Sequence, residues 1–172
     1  MTPADYIAHH GVRCLHHFTD RRNLPSIRAQ GGLHPLAELR RREIEIPAPG
    51  GNDWSHEADE DRGLDEYVHL CFMGQHGMEY QARQEGRIQA SCFLRVEPVV
   101  LGWENVRLTM DVSNKAGVPL LAWEDAWRAL DAEVLFTRTE WKDPEINRRL
   151  QLAKKCEVLI PRSVPLNLIQ GA

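Results

Sequence analysis

One carboxylate interrupts an otherwise apolar run, Cys156–Ile160, that Pro161 terminates. If the run is a strand, alternation places Glu157 and Leu159 on one face and the other three residues on the opposite face. Glu157 then shares its face with an apolar neighbour, and a partly buried carboxylate requires an ionic partner or a chemical role. Alternation leaves both interpretations open. The bases available for an ion pair on an edge strand are Lys154, Lys155 and Arg162.

The chain has 172 residues, which is enough for one sizeable hydrophobic core and too few to require two. We therefore expect residues 1-172 to form a single domain. The net charge of −4 argues against a strongly basic protein that follows a nucleic-acid backbone by charge alone. Basic residues are nevertheless clustered at Arg21-Arg22, Arg40 to Arg42 and Arg148-Arg149, so local phosphate-binding patches fit the sequence.

The cysteines are far apart and form no C-x-x-C motif; they are Cys14, Cys71, Cys92 and Cys156. The sequence contains neither a signal-peptide core nor an apolar run of membrane length. We therefore expect a cytoplasmic protein with reduced thiols, no membrane association and no metal site.

Several segments carry helix signals, namely capping residues, Gly or Pro punctuation and apolar residues at helical spacing. Asn23 is predicted to cap a helix over Leu24 to Gln30 that Gly31-Gly32 stops. Asp143-Pro144 is predicted to begin another helix. The remaining predicted helices start at Thr2 to Asp5 or cover Pro35 to Arg42, Gly77 to Gln84 and Trp123 to Leu130.

Apolar and alternating runs predict strands that precede the strand of Glu157. These strands are Cys14 to Phe18, Tyr67 to Met73, Ile88 to Val96 and Glu133 to Phe136, with Pro98 to Leu101 extending the sheet. The stretch from Pro47 to Gly63 is rich in Pro, Gly, Asp and Glu and is expected to form a mobile loop, either a lid or a spacer.

Strands and helices are interspersed without a regular strand-helix-strand rhythm, which predicts an α+β fold. The sequence contains no GxGxxG or GxxxxGK[ST] motif, so neither a Rossmann nor a P-loop domain is expected. It also contains no GxSxG elbow and no HExxH helix, which argues against common hydrolase and metalloprotease classes.

A set of short motifs follows in a defined order along the chain. The motifs are His17-Phe18-Thr19, Asn23-Leu24-Pro25-Ser26-Ile27 and Gly32-Leu33, the arginine cluster before Ile46-Pro47, Asp65-Glu66-Tyr67-Val68 leading to Phe72 and Met78, and Lys155-Cys156-Glu157-Val158-Leu159-Ile160-Pro161. In order and spacing these motifs resemble the DarT family of DNA ADP-ribosyltransferases over nearly the whole chain. No single motif is specific, and the resemblance rests on their combination.

The resemblance implies an ADP-ribosyltransferase-like fold, with a split pair of small β-sheets, flanking helices and a cleft for NAD⁺. It implies NAD⁺ as a co-substrate, no metal, and transfer of one ADP-ribose to a nucleobase of single-stranded DNA. It further implies the toxin of a toxin-antitoxin system, with a DarG-like macrodomain antitoxin as partner, and a monomeric chain. The alternatives are a transferase acting on RNA or protein and a non-catalytic NAD-binding module.

The resemblance assigns catalysis to Glu157 and to the arginine cluster. Cleavage of the nicotinamide glycosidic bond builds oxocarbenium character at the ribose, which a neighbouring carboxylate stabilises. A guanidinium can clamp the pyrophosphate and assist proton removal from the base, and Arg41 is predicted for this role with Arg42 in reserve. The alternative for these arginines is a solvated helix end. Glu133 and Glu140 are weaker rivals of Glu157.

Further NAD⁺ contacts are carried over from the resemblance. They are His17, Phe18, Thr19, Asn23, Ser26, Arg41 and Tyr67. On local sequence alone we favour a different interpretation of Asn23, a helix cap that needs no ligand. Aromatic side chains in an apolar strand are usually core residues, and we favour that interpretation for Phe72 over stacking on a base.

The chain departs from the family pattern at Gly74-Gln75-His76-Gly77, where family members have a turn containing proline and serine. This departure leaves the role of His76 and the accepted base open. Lys155, two residues before Glu157, differs from the second Glu or Gln that arginine-directed transferases often carry, which disfavours protein arginine as acceptor. A candidate phosphate-contacting rim with one stacking aromatic comprises Arg138, Lys142, Arg148, Arg149 and Trp141.

Overall fold

The computed structural model describes all 172 residues. The helices are α1 (Pro3–His10), α2 (Leu24–Ala29), α3 (Leu36–Arg41), α4 (Asp53–Asp61), α5 (Gly77–Gln84), α6 (Trp123–Ala126), α7 (Ala132–Phe136) and α8 (Pro144–Ala153). The strands are β1 (Leu15–Asp20), β2 (Gly32–Leu33), β3 (Val68–Cys71), β4 (Ser91–Val96), β5 (Arg107–Thr109), β6 (Glu157–Ile160), β7 (Val164–Pro165) and β8 (Ile169–Gln170). The predicted α+β class is confirmed.

Six strands form one antiparallel sheet in the order β5-β6-β3-β1-β4-β8. β6 pairs with β3 on one side and with β5 on the other, so the strand of Glu157 is internal. All four residues of β6 are buried, and both of its faces are therefore covered. The edge-strand interpretation of Glu157 is wrong, because β6 has no free edge.

A second, smaller sheet joins β2 to β7, with Gly32 paired to Pro165 and Leu33 to Val164. Gly32 has a φ of 149°, and a Cβ at this position would collide with the backbone carbonyl of Val164. Only glycine allows this approach. The pairing holds the segment after α2 against the segment after β6.

The hydrophobic core lies against the large sheet and is sealed by α1, α6 and α7. Tyr6 of α1 packs edge to face on Trp123 and Phe136, with ring centroids 5.1 and 6.0 Å apart. Phe72, just after β3, also packs against Phe136. Its burial confirms that Phe72 is a core residue.

Local capping explains the helices that the sequence predicts best. Thr2 and Asp5 form a reciprocal capping box at the start of α1, and Gly11 ends that helix in the left-handed conformation. The Asp143 side chain accepts hydrogen bonds from the first turn of α8, with Pro144 at its first position. α5 has the predicted bounds.

Three predicted elements are wrong. Pro98 to Leu101 forms a 3₁₀ turn and does not extend the sheet. Glu133 to Phe136 belongs to α7, because the Asp131 side chain caps a helical turn there. The stretch from Pro47 to Gly63 contains α4, which Asn52 caps, so much of the expected loop is helix.

Other elements are shorter than predicted. α6 ends at Ala126, and turns replace the rest of the helix predicted to reach Leu130. Ile88 is buried but precedes β4. None of the helices has the length and apolar character needed to cross a bilayer.

Candidate active site

A cavity opens beside the large sheet at the end where Glu157 lies. Its walls come from β1, α2, β2, α3, the segment 46–51, α4, β3, the start of α5, the loop after β5 and the start of β6. The wall residues discussed below are His17, Phe18, Thr19, Asn23, Ser26, His56, Asp59, Tyr67, His69, Met78, Ser113 and Glu157. Residues far apart in sequence therefore share one site.

Glu157 is buried at the start of β6, where its carboxylate accepts hydrogen bonds from two segments. Ser113, in the loop after β5, donates its backbone N–H to Oε1 at 3.2 Å and its hydroxyl to Oε2 at 2.7 Å. His69 Nδ1 lies 3.0 Å from Oε2. Burial alone would raise the pKa of Glu157, but the hydrogen bond and charge of His69 lower it below its ordinary value. None of the three predicted basic partners pairs with Glu157.

His69 of β3 has an acceptor at each ring nitrogen. Nε2 lies 3.0 Å from the carbonyl oxygen of Leu64, and Nδ1 faces the carboxylate of Glu157. A carbonyl and a carboxylate both accept hydrogen bonds, so both nitrogens must donate and the ring is an imidazolium. Burial opposes that charge, but the hydrogen bond to Glu157 and its charge raise the pKa of His69 to about 9.

His17 lies at the centre of the wall that β1 contributes. Its Nδ1 donates to the carbonyl oxygen of His69 at 3.0 Å, which fixes the tautomer. Burial lowers the pKa of His17, so the ring is neutral. Nε2 makes no hydrogen bond within the protein and is left as an acceptor for a ligand N–H or hydroxyl.

Asn23 occupies the position before α2 but its side chain does not cap that helix. The amide instead donates to Thr19 Oγ1 at 3.0 Å and to the Ala48 carbonyl at 2.7 Å, and its oxygen accepts from the Ala48 N–H at 2.9 Å. The capping interpretation of the side chain is therefore wrong. Asn23 fixes the segment 46–51 as a wall of the cavity.

Phe18 and Ser26 also lie on the wall, together with Tyr67 and Met78. The Phe18 ring contacts the position of Gly50, where a Cβ would lie 3.1 Å from the ring. The same ring is nearly parallel to the imidazole of His76, with centroids 6.0 Å apart. The structure thus brings Glu157 together with six of the seven residues predicted to contact NAD⁺.

Arg41, the seventh, is not on the cavity wall. Its guanidinium pairs with Glu66 at 2.8 Å, and its side chain is 60% exposed. Arg42 bonds Gln30, and Arg40 pairs with Glu60. Arg40 is the member of the cluster whose charge acts on a wall residue, because together with burial it lowers the pKa of His56. The role predicted for Arg41 stays a prediction.

The cavity wall contains histidines and carboxylates but neither lysine nor arginine. Asp59 of α4 is one of these carboxylates, and its Oδ1 has no hydrogen-bond partner. Burial, assisted by the charge of Glu157, raises the pKa of Asp59 to about 6. No group of three or more His, Cys, Asp or Glu side chains is arranged to hold a metal ion.

His76 lies behind Glu157, between the main cavity and a second groove. Its Nδ1 accepts from the Met78 N–H at 3.3 Å, so the proton is on Nε2, which points at Glu157 Oε1 from 3.6 Å. Burial lowers the pKa of His76, which keeps the ring neutral. His76 is thus a neutral neighbour of the carboxylate.

The rival glutamates and the candidate rim lie away from the cavity wall. Glu133 is exposed and pairs with Arg149. Glu140 is also exposed, and its carboxylate accepts a hydrogen bond from the Lys142 N–H. Arg148 pairs with Glu145 on the surface of α8. Trp141 is 60% exposed with the Lys142 ammonium 5.9 Å from its ring. These placements favour Glu157 over its rivals.

The sequence did not identify His69, Asp59 or Ser113 as site residues. His69 carries the same signal as Glu157, a lone polar residue inside an apolar strand, and could have been found that way. Ser113 carries no local signal because its partner is 44 residues away along the chain. Asp59 lies in α4, within the stretch from Pro47 to Gly63 that was predicted to be a loop.

Comparison with known proteins finds one matching family and several similar folds. The family model described as ssDNA thymidine ADP-ribosyltransferase, DarT, matches residues 16–172. The fold is similar to Thermosipho africanus DarTG in complex with ADP-ribose, with a TM-score of 0.71, 17% identity, and coverage of 92% of this chain and 43% of that chain. This chain therefore spans less than half of that protein.

Thermus sp. 2.9 DarT is also similar in fold. Its complex with ADP-ribosylated ssDNA gives a TM-score of 0.67 at 16% identity, covering 92% of this chain and 79% of that chain. Its complex with NAD⁺ gives a TM-score of 0.60 at 18% identity, covering 92% of this chain and 80% of that chain. No curated protein sequence matches the chain significantly. With a family match from residue 16 to residue 172, the chain belongs to the DarT family of ssDNA thymidine ADP-ribosyltransferases.

Proposed function

We propose that residues 1-172 form a single catalytic domain that transfers one ADP-ribose from NAD⁺ to thymidine in single-stranded DNA. The observation that carries this proposal is the placement of Glu157. It is a buried, ionised carboxylate on the wall of a cavity that β1 of the same sheet also lines, with His17, Phe18 and Thr19. The family match to ssDNA thymidine ADP-ribosyltransferases supports thymidine as the acceptor.

Glu157 acts beside the nicotinamide ribose. As the glycosidic bond breaks, its electron pair goes to the nicotinamide nitrogen and positive charge develops on the ribose. A fixed carboxylate in a partly dehydrated site stabilises that charge more strongly than it would in water. The base then attacks the same ribose carbon and loses its proton to solvent water. Glu157 is the catalytic residue in this scheme.

Residues of β1 and α2 hold the co-substrate. The free Nε2 of His17 accepts a hydrogen bond from the ribose or carboxamide, and Phe18 and Tyr67 offer aromatic faces for the nicotinamide. Thr19, Asn23 and Ser26 complete this wall. The carboxylates of Asp59 and Glu157 on the cavity wall fit a cationic nicotinamide.

The pyrophosphate requires a cation outside the wall residues. Arg41 is the arginine that the motif predicts, and it reaches a ligand only if it leaves Glu66, an exposed pair of low stability. Arg40 is the second candidate, because its charge already acts on His56. Separate Ala substitutions of the two arginines distinguish them by their effect on NAD⁺ affinity.

We also propose a cellular role. The chain is a cytoplasmic, monomeric toxin, and a DarG-like macrodomain antitoxin removes the mark it makes. The similarity to a longer DarTG chain supports a linked partner of this kind. Mass measurement in solution tests the monomer, and coexpression with a macrodomain hydrolase tests the antitoxin by relief of growth arrest.

The deciding experiment supplies labelled NAD⁺ with single-stranded DNA, duplex DNA, RNA or protein. Single-stranded oligonucleotides with and without thymidine identify the base. Glu157→Gln is compared with Glu133→Gln, an exposed glutamate outside the cavity wall. We expect label only on thymidine-containing single strands, and loss of label of roughly 100-fold or more in Glu157→Gln alone.

Other outcomes redirect the proposal. Label on RNA or protein but not on DNA would move the acceptor to another class of macromolecule. NAD⁺ binding without nicotinamide release, unchanged in Glu157→Gln, would indicate a non-catalytic binding module.

A further inference from the structure

His69 and Glu157 are neighbours because of the register between β3 and β6. Cys71 pairs with Glu157 and His69 pairs with Leu159, so His69 and Glu157 are diagonal neighbours on one face of the sheet. Both strands are internal, so their pairing on both edges fixes the backbone positions of the two residues. The His69 side chain is 31% exposed and lies on the cavity wall, whereas that of Glu157 is 6% exposed.

The two acceptors at the ring fix the protonation state of His69. Nε2 donates to the Leu64 carbonyl and Nδ1 donates to Glu157 Oε2, both at 3.0 Å. A neutral ring would direct a lone pair at one of these oxygens. The backbone carbonyl of Leu64 therefore orients a cation onto the carboxylate.

The donors are distributed unequally over the two oxygens of Glu157. Oε2 accepts from His69 and from the Ser113 hydroxyl at 2.7 Å, which uses both of its lone pairs. Oε1 accepts only the Ser113 N–H at 3.2 Å, because His76 Nε2 stays beyond hydrogen-bond distance at 3.6 Å, and Oε1 keeps one lone pair. A substrate hydroxyl thus has one acceptor position available, on Oε1.

We propose that His69 is a positioning residue for ADP-ribosyl transfer, which as an imidazolium anchored to Leu64 keeps Glu157 ionised and presents Oε1 to the nicotinamide ribose. This inference rests on the proposed function. His69 acts through Glu157 and needs no contact with the substrate. It assigns a role to a side chain that the sequence motifs do not include.

The pair is not isolated from other titratable groups. Those that face His69 or Glu157 from neighbouring elements are Asp59, His17, His76, Cys71 and Cys156. His17 and His76 are neutral because burial lowers their pKa values, and burial raises the pKa values of both thiols. Asp59 is the one further charge near neutral pH, and it favours the imidazolium.

Loss of His69 leaves Glu157 buried with Ser113 as its sole close donor. The burial that opposes ionisation of Glu157 remains, but the interaction with His69, the largest one that favours ionisation, is lost. The pKa of Glu157 therefore rises. In His69→Gln we expect the acid limb of kcat/KM to move up by about one pH unit or more. The wild-type protein should also lose activity above about pH 9, as His69 deprotonates.

The first measurement needs no activity. Wild-type protein labelled with ¹⁵N-histidine is titrated by NMR, with His69→Gln used to assign one ring and His9→Gln, an exposed histidine, as the matched control. We expect the assigned ring to carry protons on both nitrogens at neutral pH. A neutral His69 ring at pH 7 would overturn the inference whatever the enzyme does.

The second measurement compares pH profiles of nicotinamide release in wild type, His69→Gln and His9→Gln. We expect kcat in His69→Gln to fall roughly tenfold with KM for NAD⁺ little changed. A uniform loss with no shift of the acid limb would indicate a merely structural role and overturn the inference. Absence of transfer by the wild type itself would instead refute the proposed function, and the role of His69 with it.

Discussion

At the scale of single residues, the site concentrates charges that burial disfavours. Glu157, His69 and Asp59 lie on one cavity wall, and the pKa of each departs from its ordinary value. The ion pair between Glu157 and His69 offsets the cost of burying their charges, but Oδ1 of Asp59 has no hydrogen-bond partner. A structure tolerates such a group where a ligand uses it.

Asp59→Asn should make the protein more stable and less active. The pKa of Asp59 is raised from 3.8 to about 6, so its ionisation disfavours the folded state as pH rises through that interval. Removing the charge should raise the free energy of unfolding at pH 7 by about 1 kcal/mol, a figure reduced for solvent in the open cavity. Urea unfolding at pH 7 and pH 3.5 measures this.

The stabilisation should almost vanish at the lower pH, where Asp59 is protonated in the folded state and mostly protonated in the unfolded state. Asp61→Asn, on the exposed side of the same helix, is the control and should change neither stability nor NAD⁺ affinity. Equal stabilisation at both pH values would show that the charge of Asp59 is not the cause.

At the scale of elements, two side chains hold irregular segments in place as cavity walls. Asn23 makes hydrogen bonds to both backbone groups of Ala48. Arg62, at the end of α4, donates to the carbonyl oxygens of Ser113, Lys115 and Val118. The loop that carries Ser113 thus depends on a residue 51 positions earlier in the chain.

Asn23→Ala should release the segment 46–51. The substitution leaves the buried N–H and carbonyl of Ala48 without partners, at an expected loss of about 2 kcal/mol of stability. We expect faster amide exchange in that segment and weaker NAD⁺ binding. Hydrogen exchange followed by mass spectrometry checks this against Asn147→Ala, an exposed position on α8. Unchanged exchange at Ala48 would contradict the prediction.

Arg62→Lys should loosen the loop from Ser113 to Val118. A lysine ammonium cannot reproduce the planar fork of donors that contacts three carbonyl oxygens. We expect faster exchange in the loop and a lower kcat, because Ser113 holds Glu157. Arg13→Lys, at an exposed arginine, is the matched substitution. A loop as protected as in the wild type would show that packing alone orders it.

At the scale of the whole molecule, the large sheet is assembled from distant strands, and its stability is linked to the charges at its centre. β6 joins β3 and β5 only in the folded protein. The folded state therefore lowers the pKa of Glu157 and raises that of His69. Both shifts are free-energy contributions that depend on pH.

The ion pair should stabilise the fold most strongly in mildly acidic solution. Glu157 contributes above its unfolded pKa of 4.5, and this contribution is lost as pH falls further. His69 contributes fully below its unfolded pKa of 6.5, and this contribution is lost as pH rises to about 9. The stability difference between wild type and His69→Gln should therefore peak between these unfolded values and shrink toward pH 9. Chemical unfolding across this range measures it, and a difference independent of pH would contradict the assignment.

The sequence by itself determined much of the local structure. Capping and proline chemistry predicted α1 and α8, because these signals act within one helical turn. The motif order identified the family, and a lone carboxylate in an apolar strand identified Glu157. Helix and strand were confused only in short segments such as Glu133 to Phe136, where four apolar-rich residues fit either period.

Only the tertiary structure decided how the site is assembled. His69 and Glu157 are 88 residues apart in sequence, and Ser113 is 44 residues from Glu157. No periodicity encodes such contacts, because they depend on strand register across the sheet. The same holds for Arg41, whose predicted role follows from motif order but whose position beside Glu66 is set by how α3 packs. The local sequence thus supplies the residue types that the chemistry needs, and the packing of the sheet decides which of them meet at the site.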